Sequence, residues 1–241
     1  MHKLLIAVLV ALTSGVLAST AAANHSWGGY HWARTANPFT IQVGDNVSSV
    51  WDGSLRTAAA DWSADTAGNP LNATVVVGAA RGKCRPTSGR VEVCNGNYGN
   101  NGWLGLAQIW VTSSGHITAG SVKVNDTYFN TAKYNTATWR GSVMCQEVGH
   151  TWGLDHQDTS GADFHTCMDY ATNPDADNTH PNTHDYEELA IIYAHVDATS
   201  TIGRALSSSA RVIRVERKNH SVIERRFADG SRQVTFINWA H

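Results

Sequence analysis

The stretch 146–156, Gln146-Glu147-Val148-Gly149-His150-Thr151-Trp152-Gly153-Leu154-Asp155-His156, constrains this chain more than any other. Gln146 and His150 are four apart, so on a helix they share a face and can hold one small cation between them. Glu147 can then lie beside that cation without binding it. Gly153 can end the helix, because glycine takes a left-handed backbone at no steric cost. The chain turns back, and His156 can reach the same point from the other side. Three protein ligands with a fourth position left to water make a catalytic zinc site. A purely structural role would have to explain Glu147, His150 and His156 together on a face that also carries core tryptophans. Cys145 is a competing ligand, but on a helix its side chain points about a hundred degrees away from that of Gln146.

The rest of the chain supplies a globular frame for such a site. Its 241 residues suit one domain, or one domain with an appendage. A hydrophobic content of 42% and nine tryptophans support a sizeable core. The formal charge of −2 gives no global pull towards nucleic acid or an anionic membrane. Residues 1–23 read as a secretory signal: Lys3 is followed by an apolar run over 4–18, too short to span a bilayer comfortably, and by small residues at 21–23. Four cysteines fit a disulfide framework in an exported protein. A local Cys84–Cys94 bridge is the simplest account of the first two.

Residues 24–34 are rich in Trp, His and Gly and read as a loop; His25 and His31 could bind metal, but nothing fixes their spacing. Alternation predicts a strand over 38–43, the run Val75-Val76-Val77 a buried strand over 73–79, and apolar residues further strands over 104–111 and 117–125. Helical periods predict helices over 51–65, 136–151 and 185–196. Thr136 or Asn135 can cap the second helix. Asp185, Glu187 and Glu188 fall in the first turn of the third, where negative charge suits the helix dipole. Residues 171–184 form a polar loop whose carboxylates could hold calcium. From 203 onward the chain changes character: eight of its 18 Lys and Arg lie there, and Asp229-Gly230 is a hairpin turn signal. A basic β appendage over 203–241 is expected, its charge mostly a solvated face.

The 146–156 stretch resembles the metzincin zinc-peptidase signature H-E-x-x-H-x-x-G-x-x-H. The methionine turn of that family has its counterpart in His165-Thr166-Cys167-Met168-Asp169-Tyr170. One departure stands out: Gln146 occupies the first ligand position. The chain is also similar to secreted bacterial and fungal metzincin-like proteins that carry Q-E-x-G-H there. The resemblance implies an α+β, zincin-like fold over 24–202: a twisted mixed sheet, an active-site helix and a C-terminal helix, with the small β appendage behind it. It implies a secreted, monomeric zinc metalloendopeptidase acting on protein or peptide substrates. Gln146, His150 and His156 would hold Zn2+, Glu147 would be the general base, and Met168 would form an apolar floor.

Tyr170 lies two residues after the methionine, as in the astacin- and serralysin-like branches, where that tyrosine reaches the metal or the oxyanion; a packing role is the alternative. Calcium is a further cofactor of some family members. The strand 104–111 is, by resemblance and position, the edge that would pair with extended substrate. A Cys145–Cys167 bridge would tie the metal helix to the methionine turn. Gln146 leaves other outcomes open: His165, His180, His184 or Tyr170 completes the ligand set, metal binding is weak, or the chain is a catalytically impaired binding protein on the same fold.

Overall fold

The computed structural model describes residues 25–80, 82–158, 160–170, 172–204 and 210–241; the expected signal segment lies outside them. In chain order they form β1 (His31–Trp32), β2 (Phe39–Asn46), α1 (Ser49–Trp62), β3 (Leu71–Val77), β4 (Val91–Gly96), β5 (Trp103–Val111), β6 (His116–Asn125) and α2 (Asp126–Phe129). Then come α3 (Ala137–His150), a 3-10 turn (Asp177–Thr179), α4 (Thr183–Ile192), β7 (Val212–Arg217), β8 (Val222–Phe227) and β9 (Arg232–Trp239). The class is α+β.

The strands join one mixed sheet in the order β3-β2-β4-β6-β5-β9-β8-β7, with β1 beside β6. The first half is parallel: β2 with β3 and β4, and β6 with β4 and β1. From β6 through β5, β9, β8 and β7 every pairing is antiparallel. Helix α1 buries Trp51, Leu55, Ala58, Ala59 and Trp62, the set its helical period predicts. It packs against α3 and β3, while α3 lies on β5 and β6. Thr136 caps α3 by accepting the Trp139 amide at 3.1 Å.

Two strands escape the sequence pattern. β4 runs between β2 and β6, and its Val91, Glu92 and Val93 are all buried, so it shows no alternation. Its Glu92 is a charged residue inside the sheet, paired with Arg90 at 2.9 Å and accepting from Asn46 at 2.7 Å. β1 is two residues long and forms only because the start of β6 offers it a parallel partner.

The expected appendage is corrected. β9 pairs with β5 along its whole length, Ala107 facing Phe236 and Ile109 facing Val234. Val222, Val234 and Phe236 are buried in the common core. The C-terminal strands therefore continue the central sheet. The substrate edge expected at 104–111 is also corrected: β5 is flanked by β6 on one side and β9 on the other.

Candidate active site

The last turn of α3 carries Gln146, Glu147 and His150, all buried. The helix ends at His150, and Gly153 reverses the chain with φ +100°. A Cβ at Gly153 would lie 2.0 Å from the Tyr30 carbonyl oxygen, so a side chain is excluded by contact as well as by backbone conformation. The reversal brings the His156 ring to 4.7 Å from that of His150, inclined at 74°.

Each imidazole is oriented by an oxygen on its Nδ1 side. His150 Nδ1 is 2.9 Å from the Leu154 carbonyl, and His156 Nδ1 is 3.4 Å from Asp155 Oδ1. A carbonyl only accepts, so His150 carries its proton on Nδ1 and offers a lone pair at Nε2. His156 Nε2 is buried without a hydrogen-bond partner. Burial, and then the neighbouring His156, push the His150 pKa down to about 3, which keeps it neutral as a metal ligand must be. An oxygen behind each ligating imidazole is the usual outer shell of a metal-binding histidine.

Glu147 is fully buried; its carboxyl oxygens meet no side-chain partner, and only the Ala107 backbone approaches them, outside good hydrogen-bond geometry. Burial raises its pKa well above the carboxylate range; the Ala107 backbone opposes this more weakly. Its space comes from Gly105 on β5, where a Cβ would lie 2.7 Å from Glu147 Cγ. Gly149 has the matching role on the helix: a Cβ there would lie 2.6 Å from both Met168 Sδ and Trp62 Cζ2. Glycine between Glu147 and His150 thus lets the methionine turn close against α3. Cys145–Cys167 spans the same contact with Cα atoms 5.9 Å apart, and Cys84–Cys94 forms the second disulfide.

Gln146 is engaged at both ends. Its Nε2 donates to the Cys167 carbonyl at 2.9 Å and the Asp169 carbonyl at 2.7 Å, holding the methionine turn. Its Oε1 accepts from Asn238 on β9 at 2.5 Å. The Tyr170 ring lies 5.1 Å from that of His156, and its hydroxyl is 2.7 Å from Ser221 Oγ. The other ligand candidates have different partners. His165 faces Asp163 and Asp177, each at 3.7 Å; His180 pairs with Asp61 at 2.7 Å; His184 stacks on His25. Asp163 and His165, ahead of the polar loop, and Asp175 within it approach one another on the surface.

The C-terminal strand closes the site. Phe236 is fully buried and lies parallel to the His150 ring, centroids 4.2 Å apart and planes 6° apart. Asn238 holds Gln146, Ser221 holds Tyr170, and the His241 ring lies 5.9 Å from that of Tyr170. A small cleft is lined by Gln146, Asp169, Tyr170, Asn238 and His241. A wider hollow lies towards the other end of β5, around Trp110, Thr112 and Arg232, and another lies between α1 and the start of α3, at Thr57, Ala137 and Gly141. Phe236, Asn238 and Ser221 carry no local sequence signal of this role; they reach the site through strand pairing between distant parts of the chain.

No protein-family profile and no curated sequence matches this chain. Among solved structures, that of myroilysin is similar, at 13% identity and a TM-score of 0.39, over 68% of this chain and 96% of that one. A likeness of this size leaves the function to be argued from the chain's own residues.

Proposed function

We propose that the chain is a secreted, metal-dependent endopeptidase of metzincin type, held closed in the form described by its own C-terminal strand. The observation that carries this reading is the Glu147 carboxyl group, buried with no side-chain partner on the same helix turn as His150, together with two imidazoles each anchored through Nδ1. A buried carboxyl group without partners costs stability. A packing residue would give no return for that cost, whereas a proton carrier beside a metal needs this placement.

His150 and His156 are the ligands that fit a zinc ion. Gln146 Oε1 is a third donor once Asn238 leaves it, because Nε2 alone holds the methionine turn. A zinc ion held there would supply a water of lowered pKa and a Lewis acid for the scissile carbonyl, and its charge would favour the ionised form of Glu147. Glu147 would then take a proton from the attacking water and return it to the leaving amine. Tyr170, released from Ser221, donates to the developing negative charge on the carbonyl oxygen. Displacement of β9 frees Gln146 Oε1 from Asn238 and opens the space beside α3 to substrate. Two disulfides support an oxidising compartment. Among the described residues no helix is long and apolar enough to cross a membrane.

The filled edge of β5 and the engaged Gln146 amide favour a second reading, a binding protein on the same fold. Glu147→Gln separates the two. In an endopeptidase this variant keeps its zinc and loses hydrolysis of a mixed peptide library. Equal behaviour of variant and parent, both carrying zinc and both silent after β9 is displaced, supports the binding protein instead.

A further inference from the structure

Three histidines and an aspartate converge at the start of β6. β1 and β6 pair in parallel with His31 directly opposite His116, so the sheet register itself sets these two side by side. The chain after α4 returns His195 and Asp197 to the same place. Asp197 Oδ1 lies 3.5 Å from His31 Nε2, 3.3 Å from His116 Nε2 and 3.7 Å from His195 Nε2. His195 Nε2 is 3.2 Å from His31 Nε2. Two ligands on a tetrahedral zinc ion, with bonds of about 2.0–2.1 Å, stand about 3.3 Å apart. The four separations fall around that length.

The proton positions sharpen the point. His31 Nδ1 is 2.9 Å from the Gly29 carbonyl, which can only accept, so His31 carries a proton on Nδ1. His31 Nε2 therefore offers a lone pair towards Asp197 Oδ1, so two acceptors face each other at 3.5 Å. His195 Nε2 takes either role with its tautomer, and so does His116, whose Nδ1 lies 3.3 Å from the Ser114 hydroxyl. A cation between His31 Nε2 and Asp197 Oδ1 satisfies both lone pairs. The second Asp197 oxygen is held by Arg34, at 3.1 Å from its amide and 3.2 Å from its guanidinium, which leaves Oδ1 facing the imidazoles. Arg34 also donates to the carbonyls of Tyr193 and His195, fixing the returning segment. His31 is buried, while the His195 side chain is about half exposed and gives the group an entry path from solvent.

We propose that His31, His116 and Asp197 form a second metal site for a zinc-type divalent cation, with His195, 3.2 Å from His31 Nε2 and 3.7 Å from Asp197 Oδ1, beside it as a further donor. It joins separate segments of the chain, so its role is structural. It clasps the N-terminal segment, the β5–β6 turn and the chain after α4. This inference does not depend on the peptidase reading.

The test is zinc content and melting temperature of the full chain at pH 8, set beside the double variant His116→Ala/His195→Ala. Near-UV circular dichroism checks that the buried tryptophans of the variant keep their environment. After chelation and return of zinc, the parent is expected to bind one ion per chain more than the variant. Its melting temperature should rise by more than the variant's on adding zinc. Asp197→Asn, which keeps the side-chain shape, should weaken that binding at least tenfold. Equal zinc content and an equal thermal response in parent and double variant would overturn the site and leave a set of histidines that share a proton with Asp197.

Discussion

Phe236→Ala removes the ring that lies on His150. Phe236 is fully buried, stacks on His150 at 4.2 Å and meets Trp27 edge-on at 5.7 Å. Truncating a core phenylalanine costs about 3–5 kcal/mol. In this account much of that energy holds β9 against β5 and α3. Detachment of β9 then becomes more frequent by about a hundredfold or more, each 1.36 kcal/mol being a factor of ten. The melting temperature should fall by on the order of 10 °C. Three readings are compared between parent and variant: hydrogen exchange of the β5 amides, the rate at which a chelator removes zinc, and hydrolysis of a peptide mixture. All three should rise in the variant, by at least tenfold. A lower melting temperature with all three unchanged would show that Phe236 is ordinary core and that β9 does not open separately, and the reasoning would fail.

Gln146→His should raise zinc affinity, measured by competition with a chromophoric chelator. The same change removes the two hydrogen bonds to Cys167 and Asp169, so stability to urea should drop by about 1–3 kcal/mol; unchanged affinity in a folded variant would sink Gln146 as a ligand position. Asp185 and His25 give a pH prediction. Burial raises the Asp185 pKa to about 7 and lowers that of His25 to about 4, and the two lie 3.4 Å apart. His25 donates through Nδ1 to the Asp155 carbonyl, so protonated Asp185 can donate to its Nε2. Raised Asp185 makes stability fall as pH rises from 3.8 to about 7, and depressed His25 makes it rise from about 4 to 6.5. The two slopes offset each other, so the pair adds little pH dependence between 4 and 6.5. Asp185→Asn keeps the geometry and removes one slope. Its stability, from urea melts, should then fall relative to the parent as pH drops through that window, by about 1 kcal/mol per unit. Parallel pH profiles of parent and variant would contradict the neutral pairing.

What could be read from the sequence follows from where the determining contacts lie. The spacing of Gln146, Glu147, His150, Gly153 and His156 is local, so one helix and one turn suffice to gather them. Both disulfides and the periods of α1 and α3 were legible for the same reason. β4 was hidden because it is covered on both faces and carries Glu92, which Arg90, Asn46 and the Ala79 amide together make acceptable. Asp185 reads as a dipole-favoured surface acid, yet a capping box with Asn182 and its contact with Thr166 bury it. The pairing of β5 with β9 was out of reach: alternation identifies a strand but not its partner, so a sheet-forming segment looked like an appendage. His31 lacked any spacing to a second ligand because its neighbours are distant in sequence: His116 comes from the start of β6, and His195 and Asp197 from the chain after α4.

The most direct test of the closed-peptidase account is to place a specific protease site within 205–209 and compare the zinc-loaded chain before and after that cut. Hydrolysis of an unstructured peptide mixture is measured for the parent and for Glu147→Gln. The account predicts slow hydrolysis by the intact chain and faster hydrolysis by the cut chain on dilution. The Glu147→Gln chain should be silent in both forms, and added 210–241 segment should restore inhibition. A cut parent chain that keeps zinc and releases its C-terminal strand, yet cleaves nothing, would contradict it.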